Sequence, residues 1–317
     1  YWWVRSKTDE KTCENCQLEG KVMPMVRRCS RWSMVTISYQ TRICGTFYNP
    51  ETQQIQEFKA MKLDFRIEHE FGSSESIKPV ELATLFQGVT KQLDELLGTK
   101  RSWYEQGYSR KQALQYKIFT EEGISEDVLD RWEMEYKKDY PNWTSGIWDG
   151  GSDEDSAGVD CYPSYSSTHR RKNPLNLVVS FSIDLSQTRL NVEKMINFLS
   201  FLLRSTNNCT YSCVESGGYS FSEIIPKENG YDEVYKKVFP DRISCGWMLF
   251  IPAIILPDLI PDAARIVPVL NGNKQIGTIV VSTEEIFDGN NKEHLGKAND
   301  IEIKLLDLGL LPLMTEL

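Results

Sequence analysis

Four cysteines near the start of the chain are the first residues whose type and spacing could do chemistry. Cys13 and Cys16 form a C-x2-C pair, and Cys29 and Cys44 follow. Four thiolates can hold zinc in a tetrahedral site. The second pair lacks the tight spacing of a knuckle, so unpaired or core thiols are the preferred reading over a metal site. The three histidines, His69, His169 and His294, are far apart, and no HExxH motif accompanies them. His69 falls on the apolar face of an alternating stretch and reads as a core histidine. His294, beside Glu293 in the first turn of the last helix, reads as a surface or capping residue. There is no Gly-x-Ser-x-Gly elbow, no Walker loop and no dinucleotide fingerprint. The glycine-rich "ESGGYS" at 215–220 lacks a phosphate-cradle pattern and reads as a turn or bulge. Asn142-Trp-Thr and Asn208-Cys-Thr match glycosylation acceptors, but such short matches arise by chance. No catalytic set and no cofactor is expected.

One stretch looks built for recognition. Residues 142–168 contain no Lys, Arg or His but carry Asp149, Asp153, Glu154, Asp155 and Asp160 with Trp143, Trp148, Tyr162 and Tyr165. Aromatic rings supply rigid contact area, and carboxylates supply complementarity to a cationic partner. Trp143, Trp148, Asp149, Asp153, Glu154 and Asp155 are therefore the candidate binding residues. In the opposite reading the tryptophans fold back onto the core. Glu293, Asp300 and Glu302, placed on the polar face of the last helix, are the second candidate surface.

The elements that must position these groups are legible in outline. Leu63, Phe65, Ile67, His69 and Phe71 alternate with charged residues over 62–71, the pattern of a half-buried strand. Pro79 opens a helix whose apolar stripe runs from Leu82 to Leu97, and Gly98 stops it. A second helix is predicted over 125–139. Residues 142–168, rich in Gly and Ser, read as a long loop or irregular hairpin. A buried strand at 175–184 precedes a helix ending near Arg204. "GWMLFIP" at 246–252 is another strand, and 265–282 reads as two strands about a Gly-Asn turn. Ser282-x-x-Glu285 reads as the capping box of a short helix, and a last helix spans about 291–308. Strands and helices are interspersed without a βαβ rhythm. The fold class is α+β: a mixed or mainly antiparallel sheet backed by helices, with an irregular N-terminal extension.

Charge divides the chain. Residues 1–60 hold nine Lys/Arg against six Asp/Glu, and residues 61–317 hold 27 against 39, so the net −9 resolves into +3 and −12. An acidic body argues against nucleic acid as a direct ligand, because phosphate binding needs clustered cations. It suits a basic protein partner. The most apolar run, "WMLFIPAIILPDLI" at 247–260, is too short for a bilayer and is broken by Pro252 and Pro257. No membrane partner is expected. Eight cysteines over this length read as a reduced core, and a cytoplasmic location is expected.

Several long stretches add a resemblance. "GWMLFIP" at 246–252, the Pro261–Ala264 step, "IGTIVVSTEEIFDGNNKEHLGKANDIEIKLLDLGLLP" at 276–312 and the strand opening at Met61 together resemble the immunity protein 52 family of bacterial polymorphic toxin systems. The resemblance covers about residues 61–317. It implies an α+β, non-enzymatic protein that binds and neutralises a cognate nuclease toxin of the restriction-endonuclease-fold toxin 5 family. Residues 13–60 are similar to the start of that toxin domain, through "CENC", Ser33–Met34 and "YQTRICG" at 39–45. Glu57 and Lys59 have the letters of a nuclease Glu-x-Lys pair, but no partner Asp strand surrounds them. The division that follows is a toxin-remnant-like extension over 1–60 and an immunity-protein domain over 61–317, with Met61 as an original start. Two other functions compete: an enzyme that uses 142–168 as a lid, and a nucleic-acid-binding protein with an N-terminal zinc module.

Overall fold

The computed structural model describes residues 44–48, 55–59, 62–72, 77–107, 109–121, 123–152, 155–163, 174–186, 188–227 and 230–316. Cys13, Cys16 and Cys29, the first three candidate zinc ligands, lie outside them. The fourth, Cys44, opens strand β1 (Cys44–Tyr48), which pairs antiparallel with β2 (Ile55–Lys59).

β3 (Lys62–Gly72) is the long alternating strand, and it is the middle strand of the large sheet. Its apolar residues Leu63, Phe65, Ile67, His69 and Phe71 are buried on one side. α1 (Pro79–Leu97) follows. Pro79 stands at its first turn, and Glu81 accepts the Lys78 N–H at 3.1 Å. Gly98 ends the helix with φ of +72°, a left-handed turn in which glycine is unstrained. β4 (Tyr104–Glu105), the short α2 (Arg110–Ala113) and α3 (Glu126–Asp139) come next, then β5 (Ser145–Trp148), β6 (Ala157–Pro163) and β7 (Pro174–Asp184). In α4 (Val192–Ser205) the cap is the Asn191 side chain, which accepts the Lys194 N–H at 3.0 Å. β8 (Cys209–Ser216), β9 (Ser222–Lys227), β10 (Gly230–Tyr235), β11 (Met248–Ile251), β12 (Arg265–Asn271), β13 (Lys274–Val281) and α5 (Lys292–Asp307) complete the chain.

Nine strands form one sheet in the order β12-β13-β11-β8-β3-β7-β6-β5-β4, antiparallel at every step. The fold is α+β. α1 packs against α3 and α4, and these helices join the apolar face of β3 in the main core. A smaller core on the opposite face joins Leu249, Ile251 and Val280 of β11 and β13 to Ile301 and Leu305 of α5. β11 is therefore buried on both faces, which is why it reads as a continuous apolar run. Among the described residues no helix is long and apolar enough to cross a membrane.

The helix expected after Ser282 is not there. Ser282 ends buried beside β11, and its hydroxyl donates to the Gly246 carbonyl at 2.7 Å. It therefore caps no helix, and 283–290 runs as turns and bends. His69 is a core residue, with Nε2 2.7 Å from the Thr206 hydroxyl. Burial lowers its pKa to about 3, so the ring stays neutral.

Candidate functional site

Trp143, β5 and β6 are part of the sheet and its core. Trp143 and Trp148 are 6% and 2% exposed, which corrects their expected role as surface anchors. Trp143 packs edge-on against Trp132 and Tyr136 of α3, with ring centroids 5.9 and 5.7 Å away. Trp148 lies 6.3 Å from the Tyr104 ring on the edge strand β4. Rings this large fold inward because exposing them to water costs more than the Gly- and Asp-rich turns beside them lose by bending. The β5 and β6 strands therefore form no lid.

The candidate acids divide. Asp149 is half-buried, pairs with Arg101 and accepts the Gly151 N–H at 3.0 Å. Asp155 is exposed and pairs with Lys62 at 2.6 Å. Asp153 and Glu154 lie outside the described residues. On α5, Glu293 is exposed and pairs with Lys297 at 3.2 Å, and Asp300 is exposed. Glu302 does not share that polar face. It lies four residues after Ala298 and next to Ile301, so the helix turns it inward, where it is fully buried. There it accepts the Cys245 N–H at 2.8 Å and the Tyr219 hydroxyl at 3.0 Å. Burial raises its pKa to about 7 against those two hydrogen bonds.

What gathers charge is a sheet face that the candidate residues only touch. The charged alternation of β3 puts Lys62, Asp64, Arg66, Glu68 and Glu70 on the side away from α1 and α4. Register sets Glu215 of β8 beside Arg66, with Ser180 of β7 on the other side. It also aligns Cys213, Glu68, Val178 and Asp160 across β8, β3, β7 and β6. Glu68, Glu215 and Asp160 thus act on one guanidinium, with Asp64 and Glu70 on the same side of β3. Arg66 donates to Glu68 at 2.8 Å and lies over the Phe221 ring at 5.6 Å. Burial works against its charge, but Glu68 and the neighbouring acids hold its pKa above the ordinary value. Burial, with repulsion from Glu68, lifts Glu215 to about 7, while Ser220 donates to it through its backbone at 2.9 Å and its hydroxyl at 2.7 Å. Asp160 rises to about 6 through burial, opposed by the Gln106 amide at 2.7 Å.

Gly146 makes that last contact possible. A Cβ there would run into Asp160 and Gln106, so only glycine lets the two side chains meet over β5. Asp155 stands at the rim of this face through Lys62. The signal for β3 was visible in its alternation. The contributions of β6 and β8 were not, because nothing local in those strands indicates which strand they join. Among the described residues no group of three or more His, Cys, Asp and Glu is placed to hold a metal ion.

These features describe an α+β protein with α1, α3 and α4 on one face of the sheet and, on the other, α5 beside an acid-rich polar patch. No family model and no curated protein matches the chain. Among solved structures, the Pseudomonas aeruginosa T6SS protein PA0821 is similar at 11% identity, over 77% of this chain and 76% of that chain, with a TM-score of 0.44.

Proposed function

We propose that this chain is a cytoplasmic immunity protein that binds and neutralises a nuclease toxin of restriction-endonuclease fold, as part of a bacterial polymorphic toxin or secretion system. The observation that carries this reading is the resemblance of residues 61–317 to the immunity protein 52 family, strongest over 246–252 and 276–312. The charge distribution supports it. A nuclease presents cationic surface to its phosphate substrate, and residues 61–317 carry −12 with acids gathered on one sheet face. The protein acts by occupancy and is not an enzyme. Its partner is the toxin itself, with no direct nucleic-acid ligand, no membrane partner and no cofactor.

The test is a titration of the full chain into the nuclease encoded beside it, read by DNA cleavage. Inhibition should end at one-to-one, with Kd on the order of nanomolar or tighter. Full cleavage at excess protein, or inactivation of many toxin molecules by one, would overturn it.

A further inference from the structure

Among the described residues, the hairpin of β9 and β10 stands apart from the nine-stranded sheet. Its strands pair only with each other and form their own two-stranded sheet. An isolated two-stranded hairpin is marginal in water unless something covers it. Among the described residues nothing covers either face. Side chains alternate along each strand, so Ile224 and Tyr231 share one face and Ile225 and Val234 the other. They are 54%, 72%, 46% and 43% exposed. A hairpin lying on a core would hide one of these pairs.

The base of the arm is held while its blade projects. Lys236 donates to the Gly217 carbonyl at 2.7 Å and to Asn290 Oδ1 at 2.9 Å, and the Asn299 amide donates to the Lys236 carbonyl at 3.3 Å. The arm therefore leaves the β8 turn and α5 in a defined place. Its charges are mainly acidic. Lys227 pairs with Asp232, and Glu233 accepts from the Tyr235 hydroxyl at 2.7 Å. Hydrogen bonds from Ser222 and Tyr235 hold Glu233 below its ordinary pKa, so it is a carboxylate at neutral pH.

We propose that this arm is a docking element for the toxin: a cationic protein that receives Ile224 and Tyr231 in an apolar depression and pairs with Glu233. The inference rests on the immunity reading. A second copy of this chain is the poorer occupant. It would bring a net −9 against itself, and a short hairpin alone falls well below the roughly 800 Å² per partner of a stable interface.

The experiment measures binding of the full chain to the immobilised nuclease encoded beside it. The Ile224→Ser/Tyr231→Ser variant should lose affinity by roughly a hundredfold with an unchanged Tm, since central aromatic contacts dominate interfaces. Should that variant unfold, Glu233→Lys provides the test, with association slowed about tenfold and a flatter salt dependence. If the wild-type chain binds and inhibits while both variants do so with unchanged kinetics, the arm is overturned and the immunity reading stands. If the wild-type chain does not bind the nuclease, both fall. A wild-type dimer that the double variant converts to monomer, at unchanged nuclease affinity, would assign the arm to self-association instead.

Discussion

Residues 145–163 and residues 222–235 each form an antiparallel strand pair, and they meet water in opposite ways. The first pair, β5 and β6, belongs to the nine-stranded sheet and buries Ile147, Trp148, Val159 and Cys161. The second pair belongs to no larger sheet and exposes Ile224, Ile225, Tyr231 and Val234. Composition does not separate them: residues 142–168 carry acids, glycines and serines around their apolar positions, and 222–235 carries five charged residues around Ile224, Ile225, Tyr231 and Val234. The difference teaches that burial follows the number of strands available to pair. β5 has a neighbour on each side and a helix over its face. β9 and β10 have only each other, and among the described residues nothing covers their apolar side chains.

The sharpest way to break this comparison is to truncate the buried ring. Trp148→Ala should cost about 3–5 kcal/mol, as for large aromatic residues in a core, read from urea or thermal melts. A surface anchor would leave the melt unchanged, and that outcome would return the β5–β6 segment to the exterior.

The second test is pH. Glu215, Glu302 and Asp160 have folded pKa values of about 7, 7 and 6, above their ordinary carboxyl values. Between pH 4 and 7 the unfolded chain releases these protons while the folded chain keeps them. Their stabilising contribution is therefore complete below pH 4 and is lost progressively as pH rises from about 4 to 7. For Glu215, raised from 4.5 to about 7, the loss is of order 3 kcal/mol. Urea melts of the wild type should show it between pH 5 and 8, and Glu215→Gln should show a smaller loss. Equal slopes in the two proteins would remove Glu215 from the account.

A smaller effect is expected at Gly146. Gly146→Ala pushes a methyl group against Asp160 and Gln106, at about 1–3 kcal/mol of overpacking. Gln106 is only part-buried, so a swing of its side chain to solvent sets the lower end. A stabilised variant would mean that the close approach over β5 is unimportant.

The smallest effect belongs to the hairpin. Ile224→Ser/Tyr231→Ser should change stability by no more than about 0.5 kcal/mol, because exposed side chains contribute little to the fold. A loss of several kcal/mol would show that the arm packs on this chain after all, and the contrast between the two strand pairs would disappear.

Periodicity alone was enough for several elements. The alternation of 62–71 is β3, the Pro79-to-Gly98 stripe is α1, and the two strands about the Gly-Asn turn are β12 and β13. In each the signal is local: side chains separated by two or by three and four residues must share a face. The candidate surfaces were harder. Asp155, Glu293 and Asp300 are exposed as expected, whereas Trp143, Trp148 and Glu302 are buried and Asp149 is half-buried. A tryptophan in an acidic, glycine-rich segment fits either place, and only its neighbours decide. Glu302 was assigned to water because it is charged. It is buried because Cys245 and Tyr219, more than fifty residues away, satisfy it.

By itself the sequence determined the α+β class, the inward faces of its regular helices and central strands, and the split of charge between residues 1–60 and 61–317. These depend on residue type and short spacing. The tertiary structure decided the rest. It joined Arg66 and Glu68 of β3 to Asp160 of β6 and Glu215 of β8 on one polar face, and it left the hairpin of β9 and β10 uncovered. Both outcomes depend on which strands pair. Strand pairing is a contact between residues far apart in the chain, and its energy depends on the partner as much as on the strand.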